Sequence, residues 1–254
     1  QTCALPIWPN LAELFQFGHF EVSRVKKQIQ LIQKRLGYAG RDADFCAHLS
    51  SSGFSETDQV RLTQRLKDTR DAVYRGIESI FENTAIPLVD IRPILATTKD
   101  TPPGYYEDGT FYYGFFSGRF PLRSLEWLFI HEAVPGHHYQ GSIAPADTEL
   151  SELFWYPGFA EGWAAYTENL GGEIGLYKDP YQYLGKWEWD LVRSARVSMD
   201  IGINYYGWSK ARALRFWKKH ISCQDSIAER EVNRMFRWPA QVLSYKVGER
   251  EFLR

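Results

Sequence analysis

Three of the chain's six histidines fall within eight positions: His131, His137 and His138 in LEWLFIHEAVPGHHYQG, residues 125–141. Glu132 directly follows the first. In helices of the H-E-x-x-H kind, two imidazoles one turn apart bind zinc and the Glu between them activates a water. The spacing works because four residues advance an α-helix by about 400°, back to nearly the same face. Here the position four after His131 is Pro135. On an ideal helix His137 would lie about 240° around from His131, and His138 would regain the face but about 10.5 Å further along the axis. Pro135 lacks an N–H and disrupts a regular helix, and Gly136 tolerates backbone angles that other residues avoid. Absorbed as a two-residue bulge, the pair would place His137 as the second ligand. His138, the alternative to it, would otherwise serve substrate or support a ligand.

A third zinc ligand should come from another helix. Residues 158–168 read GFAEGWAAYTE. Glu161 lies among Phe159, Ala160, Trp163, Ala164 and Ala165, where an unpaired carboxylate would be costly, and small neighbours allow two helices to approach closely. Glu168 shares that face and could orient a liganding histidine. Further on, Arg193, Arg196, Asp200 and Asn204 recur at helical spacing amid Trp187, Trp189, Val197 and Ile201. Arg196 could bind a peptide carboxylate or carbonyl, with Asp200 as its companion. In WPAQVLSYK, Gln241 and Tyr245 follow a proline turn, and a tyrosine hydroxyl near a metal can stabilise an oxyanion.

The elements that would position these groups are mostly helical. Leu11, Leu14, Val22, Val25, Ile29, Ile32 and Leu36 predict a helix over residues 9–38, closed by Gly37. Ser55, with Thr57 and Asp58 close behind, opens a second amphipathic helix carrying Leu62, Leu66, Val73 and Ile77, and the two are expected to form an antiparallel pair. IRPILATT (91–98) and GTFYYGFFS (109–117) predict two short strands. Helices are expected at 122–132, 159–170, 181–220 with a kink near Gly202 or Gly207, and 225–236. Di-iron chemistry is disfavoured, since neither Glu132 nor Glu161 has a histidine three residues on.

Thirty Lys and Arg against 31 Asp and Glu give a net charge of -1, which removes the general electrostatic case for nucleic acid. An aromatic content of 16% is high enough to suggest a lined cleft beyond the core. No apolar run approaches a membrane span. Cys3, Cys46 and Cys223 are too few and scattered for a disulfide framework or a thiolate zinc site. Residues 1–8 are expected to be a leader foreign to the domain, and residues 9–254 a single mainly helical domain truncated at both ends.

HEAVPGHHYQ, FAEGWAAYTE, RVSMDIGINYYGWS and PAQVLSYKVGE together resemble the bacterial family known as domain of unknown function 885, over most of the chain from residue 9. The EGWAAY segment is similar to the helix carrying the glutamate ligand in gluzincin peptidases. The resemblance implies a mainly α, zincin-like metallopeptidase domain with a small β element, in a longer protein that is secreted, periplasmic or lipid-anchored. Asn204 stands where the pattern expects a histidine. The expectation is one Zn²⁺ held by His131, His137 and Glu161, Glu132 as general base, Tyr245 or Arg196 on the oxyanion or substrate, and short peptides as substrate. The rival is a non-catalytic binding protein that keeps the cleft.

Overall fold

The computed structural model describes residues 10–82, 85–98, 101–115, 117–143 and 156–254. The expected leader, residues 1–8, lies outside them. Helix α1 (Leu11–Arg35) begins where the Asn10 side chain accepts from the Ala12 and Glu13 amides. It ends at Gly37, whose φ of 81° lets Tyr38 N–H reach back to Gln33 O at 2.8 Å. A short α2 (Asp42–Leu49), which the sequence pattern did not announce, follows. Helix α3 (Gln59–Gly76) starts later than Ser55 because Asp58 caps it, accepting from Arg61 N–H at 2.9 Å. Ser55–Glu56 instead form β1, a short antiparallel bridge to β5 (Phe120–Pro121).

Three strands, one more than expected, form the small sheet: β2 (Asp90–Pro93), β3 (Gly104–Glu107) and β4 (Thr110–Tyr113), in the order β2-β4-β3. The β2-β4 pair is parallel and β3-β4 antiparallel, the latter closing as a hairpin through Asp108 and Gly109 at positive φ. Beyond it come α4 (Leu125–Glu132), α5 (His137–Ile143), α6 (Pro157–Thr167) and α7 (Pro180–Asn204). The helical stretch expected over 181–220 is broken at Gly207, φ 65°, so that α8 (Lys210–His220) is separate. Helices α9 (Asp225–Arg237) and α10 (Leu243–Phe252) complete the described chain, which is mainly helical with small sheets.

Helices α1 and α3 do not form the expected pair. Val22, Val25 and Ile32 of α1 pack with Leu184, Val192 and Met199 of α7, whereas Leu62, Leu66 and Val73 of α3 pack with Phe111, Phe129 and Ile130. Each amphipathic face found a larger apolar surface than the other helix offered. Helix α7 runs between the two cores, and Trp189 touches both. Helix α4 is buried all round, through Leu125, Trp127, Leu128, Phe129, Ile130 and His131. Such a helix is held by packing on every side, so its last turn is a rigid place for a functional group.

Two of the three scattered cysteines pair, against the expectation from their spacing. Cys46 and Cys223, 177 residues apart, form a disulfide with a Cα–Cα distance of 4.9 Å. Sequence separation concealed the pair because it joins α2 to the loop before α9, two places brought together only when both sit on the α7 core. Among the described residues, no helix is long and apolar enough to cross a membrane.

Candidate metal centre

The chain handles the H-E-x-x-P-G-H-H segment by stopping one helix and starting another, rather than by bulging a single one. Helix α4 ends at Glu132, with Ala133 leaving helical geometry at φ −108°, ψ −99°. The turn through the cis Val134–Pro135 peptide leads to α5 at His137. Only glycine fits at 136, since a Cβ there would lie 1.9 Å from His131 O. Trp163 Nε1–H of α6 donates to Pro135 O at 2.8 Å, pinning the turn to the helix that carries Glu161.

This turn brings His131 and His137 face to edge, ring centroids 5.0 Å apart. Glu161 Oε2 lies 3.5 Å from His131 Nε2 and 3.4 Å from His137 Nε2. Ligand atoms at about 2.0–2.2 Å from a tetrahedral zinc are spaced about 3.4 Å apart; ordinary N–H···O bonds are shorter, near 2.9 Å. The observed spacing therefore matches the edges of a coordination polyhedron better than hydrogen bonds. Among the described residues Glu161 Oε2 is also buried without a hydrogen-bond partner, which is costly unless a cation is shared. Ligating atoms of His131, Glu132 and His137 fall within 4.8 Å of one another. The donor set, two neutral imidazoles and a carboxylate, suits zinc.

Behind the first imidazole, His131 Nδ1–H donates to Glu168 Oε1 at 2.8 Å, fixing Nε2 as the free nitrogen. Glu168 is held by Arg193, whose Nη1 is 2.6 Å from its Oε2. Burial and Arg193 push His131 down, but Glu161 and Glu168 outweigh them, leaving its pKa raised to about 9 without a metal. Burial would raise Glu161, yet His131 and His137 hold it well below the usual carboxylate range. Glu132 is pushed up by burial and by Glu161, against the opposing pull of His131, His137 and Arg193. A carboxylate so raised is suited to taking and returning a proton.

His138 is directed elsewhere: its Nε2 is 2.7 Å from Pro87 O and its Nδ1 3.2 Å from Tyr106 Oη, so both nitrogens are engaged on the sheet side. Tyr245, on α10, lies nearly parallel to the His131 ring with centroids 6.0 Å apart. Gly158 and Gly162 of α6 permit this, because a Cβ at Gly248 of α10 would come within 2.0 Å of Gly158 O and 2.7 Å of Gly162 Cα. Gln241 accepts from Arg234 at 2.6 Å, and the same guanidinium nitrogen donates to Tyr245 Oη at 3.3 Å.

Arg196 is in the cleft wall but ion-paired to buried Glu231, at 2.7 Å. Asp200 is not its companion. Its two oxygens accept from Ala240 N–H at 3.2 and 3.1 Å, so it anchors the positive-φ turn before α10. Asn204 Nδ2–H donates to Met235 O at 3.3 Å. Arg234 was missed in the sequence. Its only signal is the spacing of Arg230, Arg234 and Arg237, one stripe of α9, which reads equally as a solvated face. Arg196, Arg230, Arg234 and Arg237 border a cleft of about 260 Å³ that reaches His131 and Glu132 and is walled by Trp127, Trp189 and Tyr245.

The family described as bacterial protein of unknown function (DUF885) matches over residues 9–254. Among solved structures, a "putative lipoprotein" from Colwellia psychrerythraea is similar at a TM-score of 0.87 and 24% identity, covering 96% of this chain and 45% of that one. A "putative lipoprotein of unknown function" from Shewanella oneidensis gives a TM-score of 0.69 at 22% identity, covering 96% and 49%. The chain thus spans about half the length of each, and the likenesses establish a shared fold. No curated protein matches the chain.

Proposed function

From the premise that the chain belongs to the bacterial DUF885 family, we propose that it is the catalytic portion of a zinc-dependent peptidase of zincin-like type acting on short peptides. The observation that carries this reading is the meeting of His131 Nε2 and His137 Nε2 at one otherwise unpartnered oxygen of Glu161. These three residues would hold the ion. Zinc bound there supplies Lewis acidity at a scissile carbonyl and makes nearby water more acidic.

The chain's own groups do the rest. Glu132, beside the two imidazoles and raised by burial, takes a proton from the attacking water and returns it to the leaving amine. Tyr245 donates its hydroxyl to the developing oxyanion, and Arg234 at 3.3 Å makes that hydroxyl a better donor. Glu168 and Arg193 keep His131 oriented. Trp127, Trp189 and the turn at Pro102–Gly104 screen the cleft from water. The paired Cys46–Cys223 and the lipoprotein neighbours support an exported location, since disulfides persist in oxidising compartments.

Metal analysis together with a fluorogenic peptide library tests the reading. The expected result is one zinc per chain and measurable cleavage, with Glu132→Gln retaining zinc but losing at least about 100-fold in kcat. Zinc retained with no cleavage of any peptide would favour a binding protein. Full activity in the variant would overturn the proposed base.

A further inference from the structure

We infer that the arginine face of α9, centred on Arg234, is a subsite for the free C-terminal carboxylate of a short peptide, which makes the chain a carboxy-terminal exopeptidase. This rests on the peptidase reading above and supplies the missing direction of cleavage.

Five arginines line the cleft: Arg193, Arg196, Arg230, Arg234 and Arg237. The acidic residues lining it are Glu132 and Glu231. Arg193 is matched by Glu168 behind the wall. Arg196 and Arg230 share Glu231, at 2.7 and 3.1 Å. Arg234 differs from these. Its Nη2 donates to Gln241 Oε1 and Tyr245 Oη, both neutral, so among the described residues its charge has no carboxylate in hydrogen-bond contact. Its nearest carboxylates, Glu231 and Glu161, act on it only through space, and Glu231 already serves Arg196 and Arg230; a half-buried guanidinium hydrogen-bonded to neutral groups in a wall rich in positive charge favours an anionic ligand, and its fork matches a carboxylate. Gln241 and Tyr245 fix the fork's orientation in advance.

Distance settles which part of a peptide reaches it. The Arg234 guanidinium carbon is 5.9 Å from the Tyr245 ring centre, and that centre is 6.0 Å from the His131 ring. Laid end to end, these place Arg234 roughly 12 Å from His131 at most. An extended chain covers about 3.3–3.6 Å per residue, so about three residues span the distance from the His131 ring to Arg234. A carboxylate bound there therefore ends the chain one to three residues beyond the scissile bond. An acidic side chain offers the same chemistry, and the test separates the two sources.

The test measures binding to zinc-stripped protein by quenching of cleft tryptophan fluorescence. The probes are acetyl-Gly-Phe-Gly as free acid, its C-terminal amide, and acetyl-Gly-Phe-Asp amide. The expected result is that the free acid binds at least 10-fold tighter than either amide and that Arg234→Gln abolishes the difference. Arg237→Gln, at an exposed position, gives a second variant should Arg234→Gln fold poorly; a partial loss of discrimination is expected there. Equal affinity for acid and plain amide overturns the proposal, as does discrimination that survives Arg234→Gln. Tight binding of the Asp amide reassigns the site to acidic side chains and also overturns it. Because no turnover is needed, acid selectivity without any cleavage by zinc-loaded protein would count against the peptidase reading alone. Cleavage indifferent to amidation would count against the subsite alone.

Discussion

At the residue scale, the centre is distinguished by which nitrogens and oxygens are left over. His131 has one nitrogen committed to Glu168 and one facing Glu161, His138 has both committed, and Glu161 holds a buried oxygen that, among the described residues, faces the two imidazoles without a hydrogen bond. Asp200 illustrates the opposite case, a charge that costs stability. Burial raises its carboxyl from 3.8 to about 6, only partly offset by donors from Asn204 and Ala240. The folded chain therefore binds that proton more tightly than the unfolded chain, so stability falls as pH rises from about 4 to about 6 and stays lower above it. Asp200→Asn keeps an acceptor for Ala240 N–H and removes the charge. It should stabilise the protein at pH 8 by up to about 3 kcal/mol, an advantage that fades below pH 4; urea unfolding across pH checks this, and a constant difference would contradict it. The residue types of the site were readable because imidazoles are scarce and apolar surroundings make Glu161 conspicuous. Arg234 and the true partner of Asp200 were not, since both depend on contacts between α9, α7 and the turn at Ala240.

At the scale of elements, close helix approach converts sequence into a site. Helices α6 and α10 meet at Gly158, Gly162 and Gly248, and Glu161 and Tyr245, one from each helix, both lie against His131. Gly248→Ala would place a methyl 2.0 Å from Gly158 O, so the helices must separate. Such overpacking costs roughly 1–3 kcal/mol, and zinc affinity should fall with it because Glu161 moves with α6. Denaturation and zinc titration of the variant measure both; unchanged zinc affinity would show that α10 does not set the position of Glu161. The small residues around Glu161 pointed to a close approach, and the 3.6-residue period located most helices. The start of α3 was misplaced because Asp58, rather than Ser55, makes the capping hydrogen bond. The Pro135-Gly136 turn resisted prediction too: whether a helix bulges or restarts is decided by what packs on it, here Trp163.

At the scale of the molecule, two cores flank α7 and the cleft opens beside it, so the site's rigidity draws on both. The Cys46–Cys223 bond closes a loop spanning most of the chain. A loop of this size limits the unfolded ensemble by about 5 kcal/mol on a chain-entropy estimate. Reduction, or Cys46→Ser, should lower unfolding stability by about 2–5 kcal/mol and leave zinc content unchanged, because neither cysteine borders the metal ligands. A shift of less than 1 kcal/mol in denaturant titrations with and without reductant would contradict a structural role. The bond and the partners of α1 and α3 lie beyond local sequence reading, since they join segments far apart in the chain. The aromatic surplus was legible as a number, and part of its location is now specific: Trp127, Trp189 and Tyr245 wall the cleft that reaches His131. The central claim is that one zinc sits where His131, His137 and Glu161 converge. Anomalous diffraction at the zinc edge from crystals grown with zinc tests it most directly. The expected result is a single peak about 2.0–2.2 Å from His131 Nε2, His137 Nε2 and a Glu161 oxygen. A peak ligated by His138 in place of His137, or no peak at this position, would contradict it.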